Sequence, residues 1–501
     1  MKKIIVLTFL FITGLTAYAQ FQIGVNHNTG ALNRISYPAD EHNMNWIFSS
    51  AAADSVKWQQ PWQDWGLGQY ELAEPGAGVQ KWEVPAKKNT TGSTGTFLYK
   101  TNFLNVLVNR RAEGVYYVET YTFTNNTNRA VNIKRIGIFT PFNDSYPDAR
   151  TCATNRCNAH IWAGMHASYV NALRMNGTGP HLGLILTKGA LQGYGIDNRS
   201  RDNNWSNAKG TITFETACFT LKLGQNYVVQ WKMFWHKGWD DFYVKARNLG
   251  FVQVKADKYV LAKGDKMTIQ ADAVPAAGLK QKRMVVTGDK PGEYSRKIYF
   301  ANGKKHTFIN YLVISSPEQI LAKRARFIVA HQQMNDTTDK RYGAYMVYDN
   351  ELDKIVTEVS KTVSPADRNE GAERLGMGVF IAKWLQSNQD EKIKNSLLRY
   401  IKYVRTKLQD PAYKTFSNVK NNSNARGYNY PWVASLYLEV YKLTGERQYL
   451  LDYYGTMRRF FKEFEHHFYG IDIRIKDGIE ALSSAGLQAE KTNLMKDYTL
   501  F

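Results

Sequence analysis

The hydrophobic periodicity of the chain changes near Ser316, and this change constrains the fold more than any other feature. From about residue 20 to residue 250, short β-branched and aromatic runs alternate with Asn, Gly and Asp, as in Gly114–Phe123. After Ser316, apolar residues recur at helical spacing. Short strands at regular turn spacing are typical of antiparallel sandwiches. The sequence therefore predicts a multidomain chain with β domains first and a helical domain last.

The same pattern predicts the domain boundaries. Residues 20–250 indicate an N-terminal antiparallel β-sandwich, and residues 251–316 indicate a small immunoglobulin-like β module with equally short strands. Apolar residues at helical spacing predict helices at about residues 317–334, 351–361, 370–387, 390–409, 431–444, 447–468 and 478–488. Residues 317–501 indicate antiparallel helical hairpins, because Phe380–Leu385 resembles Leu438–Leu443 and each precedes a polar turn. Repeated hairpins behind a β-sandwich favour an (α/α) toroid, and an ordinary helical bundle would give the same pattern.

Residues 1–19 have the composition of a cleaved secretory signal. Lys2 and Lys3 form a charged start, Ile4–Thr13 is an apolar run, and Ala17-Tyr18-Ala19 is a small-x-small cleavage site. No later apolar run approaches the roughly 18 residues that a spanning helix requires. We therefore expect an exported protein, periplasmic or extracellular, with no membrane span.

The charge of the chain narrows the class of partner. The 501 residues include 65 Lys and Arg against 44 Asp and Glu, a formal net charge of +21. Export argues against nucleic acid, so an acidic polysaccharide or oligosaccharide fits this charge better. The 31 Tyr, 24 Phe and 12 Trp also suit a surface that stacks on sugar rings.

The three cysteines do not predict a metal site. Cys152 and Cys157 lie close together in a polar loop and either form a disulfide in an oxidising compartment or stay reduced. Cys218 lies in an apolar strand and is expected to be buried. Zinc needs more ligands than this spacing offers. We expect no metal and no cofactor.

A dense polar run precedes one of the predicted helices. It contains Asn369, Glu370, Glu373 and Arg374, and the last three share a face of the first helical turns. One interpretation is helix capping with a surface ion pair. The other is a cleft site in which Arg374 binds a substrate carboxylate and Glu370 or Glu373 transfers a proton.

A second cluster precedes another helix. Tyr428, Asn429 and Tyr430 are predicted to lie in a loop, with Pro431 at the first helical position and Trp432 next to it. Either the rings pack on neighbouring helices, or they form a subsite in which rings stack on sugars and a Tyr hydroxyl serves as base or acid.

Tryptophans crowd a short stretch of the β region. Trp58, Trp62 and Trp65 lie just before a Gly-rich turn. Burial in the sandwich core is one interpretation, and sugar stacking is the other. Trp62 and Trp65 are therefore candidate substrate-binding residues.

Three segments resemble a group of secreted bacterial polysaccharide-utilisation proteins: Arg368–Gly378, Tyr428–Ala434 and Tyr342–Asp349. These proteins combine a β-sandwich with a six-hairpin (α/α) toroid and are related to the lyases that remove L-rhamnose from glucuronic acid on arabinogalactan side chains. The resemblance covers most of the chain. It implies β-elimination, with Arg374, helped by Asn369 or Asn429, neutralising the uronate carboxylate and Tyr428 or Tyr430 acting as base or acid.

Two rivals to the lyase hypothesis stay open. A glycoside hydrolase on the same scaffold would use paired carboxylates, with Glu370 or Glu373 as one of them. A glycan-binding protein without activity would rely on the tryptophans. The segment after Ser316 predicts about half the helices of a complete toroid, so we expect a truncated or partial chain whose cleft is incomplete.

Overall fold

The computed structural model describes residues 21–50, 59–74, 76–200, 208–273, 278, 282–357, 371–419, 426–465 and 472–501. The chain divides into two compact units, one ending at Ile314 and the other beginning at Ser315. The first unit is built from sheets and the second mainly from helices. The signal sequence predicted at residues 1–19 lies outside the described residues.

The first unit begins with a hairpin and two large antiparallel sheets. The hairpin consists of β1 (Gln22–Val25) and β2 (Leu32–Ser36). One sheet has eight strands, in spatial order β10 (Cys157–Trp162), β11 (Tyr169–Arg174), β12 (His181–Lys188), β16 (Asn226–His236), β8 (Tyr116–Asn125), β7 (Leu104–Glu113), β6 (Thr94–Lys100) and β5 (Lys87–Thr91). The other has six: β13 (Leu191–Asp197), β14 (Thr211–Thr216), β9 (Val131–Phe139), β3 (Gly68–Leu72) and β4 (Val79–Trp82), with β15 (Phe219–Leu221) also paired to β9.

The two large sheets pack face to face over one apolar core. Alternate residues of each strand point inward, so that Val106 and Val108 of β7 are fully buried. The rings of Trp231 on β16 and Phe214 on β14 meet edge to face with centroids 5.9 Å apart. Helix α1 (Ala149–Asn155) and a 3-10 turn (Pro61–Gln63) lie in the connections. The alternation predicted from the sequence therefore builds a sandwich.

A smaller pair of sheets completes the first unit. One contains β17 (Gln253–Ala256), β19 (Lys266–Asp272) and β20 (Arg283–Thr287), and the other contains β18 (Val260–Ala262), β22 (Lys305–Ile314) and β21 (Gly292–Phe300). Helix α2 (Trp239–Asn248) precedes them. Phe234 of the large sheet, Phe242 of α2 and Ile269 of β19 belong to one buried cluster. Helix α2 and the small sheets therefore pack on the outer face of the eight-stranded sheet, in a core separate from that between the two large sheets.

The second unit is mainly helical. Its elements are α3 (Pro317–Phe327) with a π-helical turn (Ile328–Gln332), β23 (Tyr348–Asp349), β24 (Lys354–Ile355), a 3-10 turn (Ala372–Arg374), α4 (Gly376–Leu385), α5 (Glu391–Tyr403) with a π-helical turn (Val404–Leu408), α6 (Asn429–Thr444), α7 (Arg447–Phe464), α8 (Ile475–Ser484) and α9 (Gln488–Leu500). The Ser316 hydroxyl caps α3 by accepting the N–H of Gln319 at 3.3 Å. Gly445, with φ of 72°, ends α6 and leads into α7.

Two helix predictions differ from the structure. The region predicted as helix 351–361 is a turn and strand β24 as far as residue 357, because the Asp349 carboxylate accepts the backbone N–H groups of Glu351 and Leu352 and stabilises a turn instead. The last predicted helix, 478–488, is replaced by α8 and α9. Gly486, with φ of 73°, separates them.

One cysteine also differs from expectation, since Cys218 is exposed rather than buried. Cys152 and Cys157, for which a disulfide and the reduced state were both open, are free and buried. Cys218 lies at the bend between β14 and β15. Among the described residues, no helix is both long and apolar enough to cross a membrane.

Candidate functional site

The starts of helices α4 and α6 meet at one loop in the second unit. The backbone N–H of Ala372, in the turn that leads into α4, donates to the carbonyl oxygen of Ser417 at 3.0 Å. The side chain of Asn429, the first residue of α6, donates from Nδ2 to Oγ of the same Ser417 at 3.4 Å. Two clusters that are far apart in sequence are therefore adjacent in the structure.

Three side chains at the start of α6 form a stack. The ring of Tyr428 lies against that of Trp432, with centroids 6.1 Å apart and planes 23° from parallel. The guanidinium carbon of Arg426 lies 5.6 Å from the centre of the Tyr428 ring. All three side chains are half-buried, as is Arg374. The stack offers partly exposed ring surface next to the Arg426 cation, which suits an acidic sugar.

Tyr430 does not belong to this exposed stack, which corrects its prediction as a base or acid. It is fully buried, and its ring packs on Phe460 and Phe464 of α7. Its hydroxyl donates to Oε2 of Glu463 at 2.9 Å. Burial, together with the neighbouring carboxylate, raises the pKa of Tyr430. A buried hydroxyl that is already engaged with Glu463 holds α6 against α7 and does not reach a sugar.

Asn429 is also placed differently from its prediction as a substrate ligand. It lies inside α6 rather than in a loop, and it is fully buried. The helix begins two residues earlier than predicted because Pro431 falls within the first turn, where no backbone N–H is needed. Its amide positions the Ser417 loop instead of facing solvent.

Three other predicted residues of the first cluster lie wholly or partly outside the described residues. Asn369 and Glu370 lie outside the described residues. Glu373 belongs to the turn Ala372–Arg374 that precedes α4, and its side chain is outside the described part of the chain. Their proposed roles stay predictions.

The two predicted tryptophans of the first unit differ from each other. Trp65 is fully buried, and its indole N–H donates to Oε2 of Glu119 at 2.8 Å. Its prediction as a sugar-stacking residue is therefore wrong, because it is part of the sandwich core. Trp62 is half-buried, and Nζ of Lys81 lies 3.4 Å from its ring centre. Trp62 stays a candidate with one face covered by a cation.

No role for Arg426, Ser417 or the partners of Tyr430 was predicted from the sequence. Arg426 adjoins the predicted cluster in sequence, but its position over the Tyr428 ring depends on the local fold. Nothing in the sequence distinguishes Ser417 from other serines, because it acts through its backbone carbonyl and its hydroxyl, which every serine has. Glu463 accepts from Tyr430 and from Arg459 at 2.8 Å, and this network exists only because α6 packs on α7.

A basic cavity on α7 and α9 is less suited to an anionic ligand than its composition indicates. It measures about 810 Å³, and its walls include Arg458, Arg459 and Lys462. Arg458 already pairs with Asp497 at 2.6 Å, and Arg459 pairs with Glu463. These carboxylates neutralise two of the three cations. Among the described residues, no group of three or more His, Cys, Asp or Glu side chains is placed to hold a metal ion.

Comparison with known proteins gives a strong similarity to a solved structure. The chain is similar to a solved structure named Polysaccharide Lyase BACCELL_00875, with 36% sequence identity and a TM-score of 0.89. The similarity covers 96% of this chain and 74% of that one. Residues 251–402 match a family of unknown function, DUF5695. No curated protein matches the chain.

Two other solved structures are similar over parts of the chain. One is a galactose mutarotase related enzyme from Lactobacillus acidophilus, at 11% identity and a TM-score of 0.30, covering 44% of this chain and 96% of that one. The other is a family 76 glycoside hydrolase from a bovine Bacteroides thetaiotaomicron strain, at 10% identity and a TM-score of 0.22, covering 68% and 89%. Scores this low support no conclusion about this chain. The identity and coverage of the first similarity do: this chain belongs to the same family of carbohydrate-active enzymes as that polysaccharide lyase.

Proposed function

We propose that this protein is an exported polysaccharide lyase that cleaves a glycosidic bond at a uronic acid, of the rhamnose–glucuronate type, by β-elimination. The observation that carries this proposal is the stack of Arg426, Tyr428 and Trp432 at the start of α6, which Ser417 links to the turn that contains Arg374. Family membership with a polysaccharide lyase supports it. On this proposal the helical unit is part of an (α/α) toroid, and the small sheets form an immunoglobulin-like module.

β-Elimination at a uronate makes three demands on the protein. The carboxylate on C5 must be neutralised so that the C5 proton becomes acidic, a base must remove that proton, and the oxygen on C4 must be protonated as it leaves. The electron pair of the C5–H bond becomes the C4=C5 double bond, and the C4–O4 bond breaks. The products are an unsaturated uronate and, from a rhamnose-capped substrate, free rhamnose.

The described residues can meet the first demand directly. Arg374 and Arg426 are permanently charged, and a guanidinium matches the two oxygens of a carboxylate. The backbone N–H groups at the start of α4 add positive potential at the same place. We assign carboxylate neutralisation to Arg374, with Arg426 beside it.

Proton transfer is assigned to Tyr428. Of the two tyrosines in the second cluster, Tyr428 is half-buried whereas Tyr430 is fully buried against α7. A base must come within hydrogen-bonding reach of the proton it removes. The Trp432 ring, stacked on Tyr428, would align a sugar ring beside that hydroxyl.

The test is turnover of a glucuronate-bearing arabinogalactan by the full chain, followed by ultraviolet absorbance. We expect absorbance to rise as the C4=C5 double bond forms, with equimolar release of rhamnose. No absorbance change from a folded protein would contradict the lyase proposal. A saturated product that takes up ¹⁸O from labelled water would instead indicate a glycoside hydrolase using Glu370 or Glu373. Glycan binding without any product would indicate a binding protein.

Export has its own test. The N-terminal pattern supports secretion of the chain to the periplasm or the medium, where an acidic polysaccharide would be met. Mass spectrometry of the protein from its native host should give a mature N-terminus at Gln20. An intact N-terminus at Met1 would contradict export by this signal.

A further inference from the structure

A cavity in the first unit is lined by residues other than those of the candidate lyase site. It measures about 510 Å³ and is formed where the edge of the eight-stranded sheet and helix α2 meet the small sheets. Its walls carry six aromatic rings: Trp162, Tyr169, Tyr243, Phe251, Tyr259 and Phe308. The volume falls within the range of small-molecule sites. All of its lining residues belong to the first unit and are described.

Three of these rings, Trp162, Tyr259 and Phe308, keep part of their surface exposed, whereas the other three pack on one another. Trp162 and Phe308 are half-buried, with ring centroids 5.1 Å apart. Tyr259 is 49% exposed. Aromatic rings that are neither buried nor fully solvated are suited to stacking on the apolar faces of pyranose rings.

Two polar groups in the cavity wall have no hydrogen-bond partner. Oγ1 of Thr307 and Nε2 of Gln253 are both buried without a partner, and the two residues are only 1% and 7% exposed. The other end of the Gln253 amide accepts from Nη1 of Arg247 at 3.1 Å, which fixes its orientation. Buried polar groups are normally hydrogen-bonded, because an unmet donor or acceptor costs free energy. Because both groups belong to residues that line one cavity, they point to a ligand that, as it binds, lets them form the missing hydrogen bonds.

The chemistry of the wall identifies the class of ligand. Lys255 is the one charged residue among those lining this cavity, and its ammonium lies over the Tyr243 ring at 5.4 Å. A neutral hydroxyl and a neutral amide inside a ring of aromatics match sugar hydroxyls better than a carboxylate. We propose that this cavity is a second glycan-binding site, separate from the lyase site, which holds neutral pyranose units of a polysaccharide.

Binding of neutral sugars at this cavity would keep the enzyme attached to its polysaccharide. A site that binds neutral units while another site cleaves at a uronate would hold the enzyme on a polymer that contains both. This inference extends the proposed function but does not depend on turnover, since it concerns binding alone.

The experiment is titration calorimetry of the full chain with three neutral trisaccharides, maltotriose, β-1,4-galactotriose and β-1,4-mannotriose, and with trigalacturonate as the charged counterpart. We expect saturable binding of at least one neutral trisaccharide. Binding of none of the three would overturn the proposal. Trigalacturonate binding that is at least tenfold tighter than that of every neutral trisaccharide and is weakened by Tyr259→Ala would overturn the assignment to neutral sugars.

Two pairs of variants locate the binding. Thr307→Val removes the hydroxyl at nearly constant volume and should weaken binding about five- to tenfold. Thr211→Val removes another buried hydroxyl without a partner, on β14 outside the cavity, and should leave affinity unchanged. Tyr259→Ala should weaken binding about two- to tenfold, whereas Tyr194→Ala, at a residue that is 50% exposed on β13, should not.

Unchanged affinity in both Thr307→Val and Tyr259→Ala, with thermal unfolding like that of wild type, would contradict this location. Failure of the lyase assay does not affect the outcome, because heat of binding is measured without turnover. Conversely, a protein that cleaves its substrate but binds no neutral trisaccharide would leave the lyase proposal intact and overturn this one.

Discussion

The backbone N–H of Ala372 and the carbonyl oxygen of Ser417 are joined by a 3.0 Å hydrogen bond, and this bond fixes the start of α4 beside the start of α6. Ser417 also accepts from the Asn429 side chain. Arg374 and Tyr428 therefore flank a shared loop, although they are 54 positions apart in the sequence. Substitution of Arg374 and substitution of Tyr428 should therefore each lower the activity without unfolding the protein.

Removal of the Arg374 charge should abolish most lyase activity. Arg374→Ala takes away the group assigned to the uronate carboxylate, and loss of one such preorganised donor costs on the order of 100- to 1,000-fold in kcat. Arg374→Lys should recover part of the loss, since the charge remains but the paired donors do not. The measurement is initial rate by ultraviolet absorbance. Arg447→Ala, at the exposed start of α7, is the matched control and should leave the rate unchanged.

The two neighbouring tyrosines should separate activity from stability. Tyr428→Phe should lower kcat with little change in thermal unfolding, because its half-buried hydroxyl is assigned to proton transfer. Tyr430→Phe should lower the free energy of unfolding by about 1–2 kcal/mol, because it breaks the hydrogen bond to Glu463, while activity persists. Tyr498→Phe is the control at a residue that is 44% exposed. The opposite pattern, with activity lost only in Tyr430→Phe, would contradict the assignment.

The sequence could predict which segments form strands and helices, because those signals are local. Alternation with a period of two precedes Ser316, helical periodicity follows it, and the structure divides at Ile314 and Ser315. It could also single out the two polar clusters, since polar and aromatic residues crowd there.

Burial within those clusters could not be predicted from the sequence. Trp62 and Trp65 occupy nearly the same local sequence, and only packing of the large sheets sets Trp65 against Glu119, which is 54 positions away. The same holds for Tyr428 and Tyr430, because Glu463 on the next helix decides which of the two hydroxyls is buried in a hydrogen bond. The local sequence shows which side chains have suitable chemistry, and tertiary packing decides which of them face solvent.

The buried ion pair of the sandwich should be a major determinant of stability. Nε of Arg110 lies 2.5 Å from Oε1 of Glu119, both side chains have no exposed surface, and the indole N–H groups of Trp65 and Trp231 donate to Oε2 of Glu119. Glu119→Ala would leave a buried guanidinium without its partner and should cost about 3–5 kcal/mol.

Chemical denaturation of the Glu119→Ala and Glu74→Ala variants, each compared with wild type, checks this value. Glu74→Ala breaks a solvent-exposed pair with Arg129 and should cost at most about 1 kcal/mol. Equal losses for the two variants would contradict a special role for the buried pair.

The stability of the protein should fall in mild acid because of His236. This residue is 1% exposed, and its ring centre lies 5.4 Å from that of His181. Burial, with a smaller effect from His181, lowers the pKa of His236 from 6.5 to about 4, while Asp241 and Lys245 act in opposite directions. Above pH 6.5 neither state binds this proton. Between pH 6.5 and 4 the unfolded state binds it and the folded state does not, so stability falls as pH falls.

The expected loss over that interval is about 3 kcal/mol from this group, measured by urea unfolding at several pH values. His236→Phe should reduce the slope between pH 6.5 and 4.5, since the ring still packs with Phe234 and Phe242 but no longer titrates. His27→Gln, at an exposed site, should keep the wild-type slope. A slope unchanged in His236→Phe would show that other groups carry the pH dependence.

The most direct measurement of the central claim is the mass of the product that the full chain forms from a glucuronate-bearing arabinogalactan side chain. β-Elimination leaves a new non-reducing end that is lighter by one water than the product of hydrolysis and takes up no ¹⁸O from labelled water. We predict this unsaturated product from the wild-type protein and its near absence from Arg374→Ala. A product of hydrolysis mass that carries ¹⁸O would contradict the claim that the protein is a lyase.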